Sequence, residues 1–169
     1  MPNTFEKAAS KTMGAMKDEK ATFKGLHGVF RRLMEEHGEV GALILRVNSS
    51  SDDSVRRELY PTIRKELLAH EKGELAAVYP FLARYPKTND IAAEHNRGAA
   101  ELETAILTLD NLDAADPRWQ IGFERLASLV TKHVAEEEGE FFPRAQEAIG
   151  KENAEMLESS YDASRGVVV

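Results

Sequence analysis

The stretch LHGVFRRLMEEHGEVGALILRV, residues 26–47, sets Leu26, Phe30, Leu33, Val40, Ile44 and Val47 three and four positions apart. That is the period of a helix with one apolar face, and the strict alternation of a half-buried strand is absent. The stripe has one gap. Where the series requires an apolar residue between Leu33 and Val40, the chain has His37.

Working outward, the residues that favour turns cluster at 48–53 (NSSSDD), 85–90 (YPKTND) and 111–117 (NLDAADP), leaving three further long segments with the same period. The second carries Ile63, Leu67, Ala77, Val78 and Phe81, and is interrupted by His70 and Glu74. The third carries Ile91, Leu102, Ala105 and Leu109, interrupted by His95. The fourth carries Trp119, Phe123, Leu126, Val130 and Phe141, interrupted by His133 and Glu137. Asp116 can cap the fourth helix with Pro117 at its first position, and Thr88 or Asn89 can cap the third. Short connections make successive helices antiparallel neighbours, so the expected fold is all-α, an up-down-up-down four-helix bundle.

The bundle is expected over residues 18–149, with 1–17 an N-terminal extension and 150–169 a tail. In the tail Met156, Leu157 and Tyr161 suggest a short fifth helix, and the Gly-Val-Val-Val end is expected to be loose. No internal repeat or low-complexity segment stands out.

Composition excludes whole classes of chemistry. The 169 residues suit one domain, and the absence of Cys rules out a disulfide framework, a thiolate zinc site, an iron–sulfur cluster and a Cys nucleophile. With 22 Lys and Arg against 29 Asp and Glu, the net charge is −7 and no basic run offers a stripe for phosphates, so nucleic acid is not an expected partner. No stretch has the apolar length of a signal peptide or a membrane span, and a soluble cytoplasmic protein without a membrane partner is expected.

Every predicted helix therefore turns one imidazole toward the core, and two add a carboxylate one turn further on. A single His on an apolar face is more often a satisfied core residue than a ligand. Four of them with two buried carboxylates, and no Lys or Arg in the core-facing series, need compensating charge, which a bound cation supplies. Imidazole and carboxylate without thiolate suit iron, manganese or zinc, and six side chains are too many for one tetrahedral zinc. Two carboxylates able to bridge suit a pair of metals, with iron favoured because it works in two oxidation states and can leave a position open for a small ligand.

Ligands must also lie at one depth. His95 and His133 are level if their helices share an end, at 1.5 Å of rise per residue. His70 matches His37 only if the regular part of the second helix begins near Pro61, so a break is expected there, with a turn near Tyr79 and Pro80.

These blocks resemble the hemerythrin-like HHE cation-binding domains. The resemblance runs through LMEEHGEVGAL around His37, ELLAHEKGELAAVYP around His70 and Glu74, AAEHNRGAAELE around His95, and TKHVAEEEGEFFPRA around His133, covering roughly residues 26–149. It implies a non-haem diiron centre, two iron ions with His37, His70, His95 and His133 as terminal ligands and Glu74 and Glu137 as bridges. It also implies binding or sensing of dioxygen, peroxide or nitric oxide, with azide as a probe ligand, or the handling of iron. A diiron enzyme decomposing peroxide is the alternative, and a metal-free helical interaction module the third reading.

Two departures from the oxygen carriers are visible. Those carriers have two histidines four residues apart on the third helix, but four residues after His95 stands Ala99. Helical spacing favours Glu137 as the last carboxylate, whereas the carriers' pattern favours Glu138. A ferritin-like oxidase needs a Glu three residues before a His on two helices, and no His here has one. His27 reads as a boundary residue too far from His37 to share a metal. Glu71 points about 100° from His70 and reads as an outer acceptor or a solvated residue. Glu136, Glu138 and Glu140 read as a solvated face, and Tyr60 and Tyr79 have no assigned role.

Overall fold

The computed structural model describes residues 3–166, which are helical apart from short connections. Residues 167–169, most of the end expected to be loose, lie outside the described residues. The helices are α1 (Thr4–Phe23), α2 (Val29–Asn48), α3 (Asp53–Gly73), α4 (Tyr79–Leu82), α5 (Asn89–Asp110), α6 (Pro117–Glu136) and α7 (Phe142–Arg165). Two π-helical turns, Glu74–Val78 and Glu137–Phe141, join α3 to α4 and α6 to α7 without interrupting the rods. Four long rods therefore run up-down-up-down: α2, α3 with α4, α5, and α6 with the first turns of α7. Asp116 caps α6 by accepting from the Arg118 N–H, with Pro117 at the first helical position.

The boundary expected at residue 18 falls inside one continuous helix, α1, which runs from Thr4 to Phe23. Asn3 and Glu6 close it reciprocally, each side chain accepting from the other's backbone N–H, and α1 then lies along α2. At the other end α7 bends at Gly150, whose φ of +78° is open only to a residue without a side chain. Beyond it the chain returns along α2 and α3, burying Ala154, Leu157 and Tyr161.

The core has two apolar halves. One gathers Phe30, Leu33, Val78, Tyr79, Ile91 and Phe142; the other Val47, Ile63, Leu102, Trp119, Phe123 and Leu126. Between them, on all four rods, the interruptions of the stripes form one polar layer.

Two expectations about the second rod are corrected. No break occurs at Pro61, which lies within α3. His70 is 17 residues from Asp53 at the start of α3, His133 is 16 from Pro117 and His95 is 15 from Asp110, whereas His37 is only 11 from Asn48. The mismatch is thus taken up beyond His37, where α2 ends after 11 residues: α3 runs past that end, and Arg56 and Arg57 there meet Ala114 and Asp113 of the α5–α6 connection.

Nor does the rod turn at Tyr79 and Pro80, for it continues to Leu82. Instead it widens just before them. Pro80 has no N–H and its ring crowds the carbonyl four residues back, and the Tyr79 N–H bonds to the Glu74 carbonyl five residues back. The extra residue rotates the rest of the rod, so Val78, Tyr79 and Leu82 are buried while Ala77 and Phe81 are only half-buried. The same happens before Pro143, where the Phe142 N–H bonds to the Glu137 carbonyl. Both segments share a spacing that amounts to a short repeated motif: a His, a Glu four later, an aromatic residue nine later and a Pro ten later.

Candidate metal centre

His37, His70, His95, His133, Glu74 and Glu137 all lie in the polar layer and all are buried, Glu74 and Glu137 completely. The imidazoles pair across the bundle, His37 with His70 at 5.0 Å between ring centroids and His95 with His133 at 5.1 Å. Two groups of potential ligand atoms result, each within 4.8 Å of one another: His37, His70 and Glu137, and Glu71, Glu74, His95 and His133.

The two carboxylates stand between the pairs. Glu74 Oε2 is 3.0 Å from His95 Nε2, 3.4 Å from His70 Nε2 and 4.0 Å from His133 Nε2. Glu137 Oε2 is 3.2 Å from His37 Nε2 and 3.5 Å from His133 Nε2, and its Oε1 is 3.6 Å from His95 Nε2. Each π-turn begins on one of these glutamates, so the irregular backbone coincides with the residues that join the two groups.

Glu71, read from the sequence as peripheral, lies inside: its Oε1 is 3.2 Å from His133 Nε2 and its Oε2 is 3.7 Å from His95 Nε2. A rod in a four-helix bundle faces two neighbours, so a residue 100° from His70 still points inward, toward α5 and α6 rather than α2. Glu138 is buried but stands behind the layer, on His37 Nδ1 at 3.1 Å, while Glu137 faces the centre. His27 is half-buried at the entry to α2, and its backbone N–H donates to Gln146.

Three further residues escaped the sequence reading. The Tyr79 hydroxyl donates to Glu137 Oε1 at 2.5 Å, and its ring stacks on His95. Glu36 accepts from His70 Nδ1 at 3.1 Å and from the Tyr161 hydroxyl at 2.5 Å. The available signals were the aromatic before Pro80 and the Glu immediately before His37; nothing in the sequence ties Tyr161 to either.

Charge in the layer is balanced by protons. Burial, then the carboxylates of Glu137 and Glu71, push Glu74 well above the usual carboxylate range. Burial acts the same way on Glu137, but His133, His37 and His95 outweigh it and hold Glu137 well below that range. Burial disfavours a charged His133, yet Glu137 and Glu71 prevail and raise it to about 9. On His95 burial wins, bringing it down to about 4 against the pull of the same two carboxylates.

The donor set fits a cation. The Nε2 atoms of His37, His70 and His133, with Glu71 Oε2, Glu74 Oε1 and Glu137 Oε2, are buried without a hydrogen-bond partner. Such a concentration of buried polar atoms without hydrogen-bond partners is costly unless a bound ion meets them. A cavity of about 440 Å³ reaches the layer, with His37, His70, Glu71 and His133 at its inner end, Val40, Leu43, Leu67 and Val130 along its wall, and Lys7 and Lys11 among its outer residues.

Comparison with known proteins agrees with this chemistry. The hemerythrin HHE cation-binding domain matches residues 20–145, which includes every residue of both groups. A DNA nickase from Nostoc sp. (strain PCC 7120 / SAG 25.82 / UTEX 2576) is 21% identical over 133 residues, covering 79% of this chain and 38% of that protein. The chain thus spans well under half of that relative. No solved structure is a significant match. Among the described residues, no helix is long and apolar enough to cross a membrane.

Proposed function

Because the chain belongs to the hemerythrin HHE cation-binding domain family, we propose that its buried layer holds two metal ions, iron by donor chemistry, and that the centre binds dioxygen, peroxide or nitric oxide. The observation that carries this reading is the position of Glu74 and Glu137, each within 3.5 Å of a histidine from both imidazole pairs. A carboxylate so placed can give one oxygen to each of two ions, and four imidazoles with three carboxylates supply enough donors for both. Manganese or zinc suits the same donors.

Glu71 answers the departure on the third helix. Where the oxygen carriers have a second imidazole and this chain has Ala99, Glu71 reaches the same side of the layer from α3 and stands 3.2 Å from His133. A pair of iron ions would supply reversible one-electron chemistry and a coordination position for a small ligand. The protein's contribution is to hold the donors dry and to leave a route inward. Val40, Leu43, Leu67, Leu102 and Val130 give the cavity an apolar stretch of wall beside the charged Arg32, Glu36, Glu66 and Arg165, and that stretch suits a neutral diatomic molecule or peroxide.

The test is metal content and optical spectrum of iron-loaded protein, with and without azide. About two equivalents of iron and a charge-transfer band that shifts with azide are expected. Protein that takes up no iron, or whose spectrum ignores azide, would sink the reading. Oxygen evolution from added peroxide would favour the enzymatic alternative over binding or sensing.

A further inference from the structure

The two imidazole pairs have different surroundings on the side away from the centre. His37 Nδ1 donates to Glu138 and His70 Nδ1 donates to Glu36, both at 3.1 Å. His95 Nδ1 is buried with no hydrogen-bond partner, its ring lying against Tyr79 instead. Among the described residues, His37 and His70 are thus the layer histidines seen with a carboxylate on Nδ1.

Within the matched segment Arg32 Nε lies 2.9 Å from Glu36 Oε1 and Lys20 Nζ 3.7 Å from Glu138 Oε2, and both carboxylates are also held from outside it. Lys17 on α1 sits 2.6 Å from both oxygens of Glu138. On the opposite side Tyr161 of α7 donates to Glu36 Oε2 at 2.5 Å, and Arg165 Nε is 3.4 Å from Glu36 Oε1. The family match runs over residues 20–145, so Lys17 and Tyr161 lie before and after it.

The docking of both helices is built into the rods. A Cβ on Gly38, next to His37, would come within 2.3 Å of the Met13 carbonyl oxygen on α1. A Cβ on Gly73, next to Glu74, would come within 2.5 Å of the Tyr161 ring. Each flanking helix thus seats against a glycine that a larger residue would displace, beside a residue of the layer.

We infer that α1 and α7 position one half of the centre: through Lys17–Glu138 and Tyr161–Glu36 they fix the His37 and His70 rings with Nε2 inward, leaving the His95–His133 half untouched. A carboxylate on Nδ1 sets the tautomer and ring orientation of a ligating imidazole, so the two metal positions are inequivalent and the flanking helices tune only one. Lys17 and Tyr161 are positioning residues: Lys17 acts through Glu138, and the Tyr161 hydroxyl, besides bonding Glu36, comes within 3.3 Å of the outer nitrogen of His70 and of no inner one. This inference rests on the metal reading above.

The experiment is a titration of the metal-free full chain with Co²⁺, followed by its ligand-field absorption, for the wild type and for Lys17→Met, Tyr161→Phe and Tyr60→Phe. Tyr60 lies in the far half of the bundle and bonds to Asp110, so its variant controls for the loss of a hydroxyl. Two binding steps are expected, with Lys17→Met and Tyr161→Phe each weakening the same step about tenfold or more and sparing the other. Tyr60→Phe leaves both unchanged. Equal weakening of both steps, different steps for the two variants, or no change in either would overturn the inference while leaving the metal reading intact. Failure of the wild type to bind Co²⁺ would instead remove the metal reading, and this one with it.

Discussion

The Tyr79 ring lies flat on the His95 imidazole, centroids 3.6 Å apart and planes 14° from parallel. One residue thereby fixes two others, since its hydroxyl also donates to Glu137. Tyr79→Phe keeps the stack and loses the donor, leaving a carboxylate oxygen in a sealed site with one partner fewer. Metal-free Tyr79→Phe is expected to be less stable by about 1–3 kcal/mol, the cost of an unmet buried group. Urea unfolding at neutral pH measures it, and an unchanged midpoint would show that the bond contributes nothing.

Glu71 distinguishes the two groups. Glu71→Gln removes a charge from the Glu71–Glu74–His95–His133 group alone, and iron content is expected to fall from about two equivalents toward one. Glu140→Gln, at an exposed position on the same bundle, should leave both ions in place. Metal analysis of the two purified variants decides it; equal iron in both would exclude Glu71 as a ligand.

Protonation gives the metal-free protein a stability maximum. His133, raised from 6.5 to about 9, binds a proton more tightly folded than unfolded. Its contribution is complete below pH 6.5 and is lost as pH rises through about 9. His95, lowered from 6.5 to about 4, has the opposite sign: stability is lost as pH falls from 6.5 toward 4. In urea unfolding of the metal-free chain from pH 4 to 9.5, the joint contribution of these two histidines should therefore be greatest near pH 6.5, with the raised Glu74 adding to the loss on the alkaline side. With metal in place of the His133 proton, the alkaline decline should vanish. A metal-free curve that climbs steadily to pH 9 would contradict the assignment.

Metal removal should weaken the fold without dissolving it, because each apolar half is closed by its own side chains. Chelation is expected to lower the melting temperature, with helical circular dichroism retained at room temperature and recovery when iron is restored. At a free metal concentration a hundred times the dissociation constant, binding stabilises by about 2.7 kcal/mol. Protein that unfolds outright on chelation would show instead that the halves depend on the layer between them.

The rods and the imidazoles were legible for one reason: a period of 3.6 residues makes any polar residue in an apolar stripe conspicuous. His37, His70, His95 and His133 were visible as exceptions. What the period hid is whatever changes it or lies off it. The π-turn after Glu74 moved burial from Ala77 and Phe81 to Tyr79 and Leu82, because an inserted residue rotates everything beyond it. Glu71 was hidden by adjacency, since a helix in a bundle buries an arc wide enough for two neighbouring positions. The break expected at Pro61 came from assuming that every rod ends at the same distance from its imidazole, whereas α2 ends sooner after His37 than the other rods do from theirs. Tyr161 meets Glu36 across 125 positions, a separation that no local pattern reports.

The polar layer also governs how the helices can slide. In a purely apolar bundle, a rod displaced by one turn, about 5.4 Å, meets much the same neighbours and loses little. Here such a slip would carry an imidazole or carboxylate into one apolar half and draw a leucine or valine into the layer. Each stranded polar group would cost roughly 2–7 kcal/mol. The same side chains that can hold metal therefore fix the register of the four rods, and a chain that has lost its metal still has only one alignment in which its buried charges find one another.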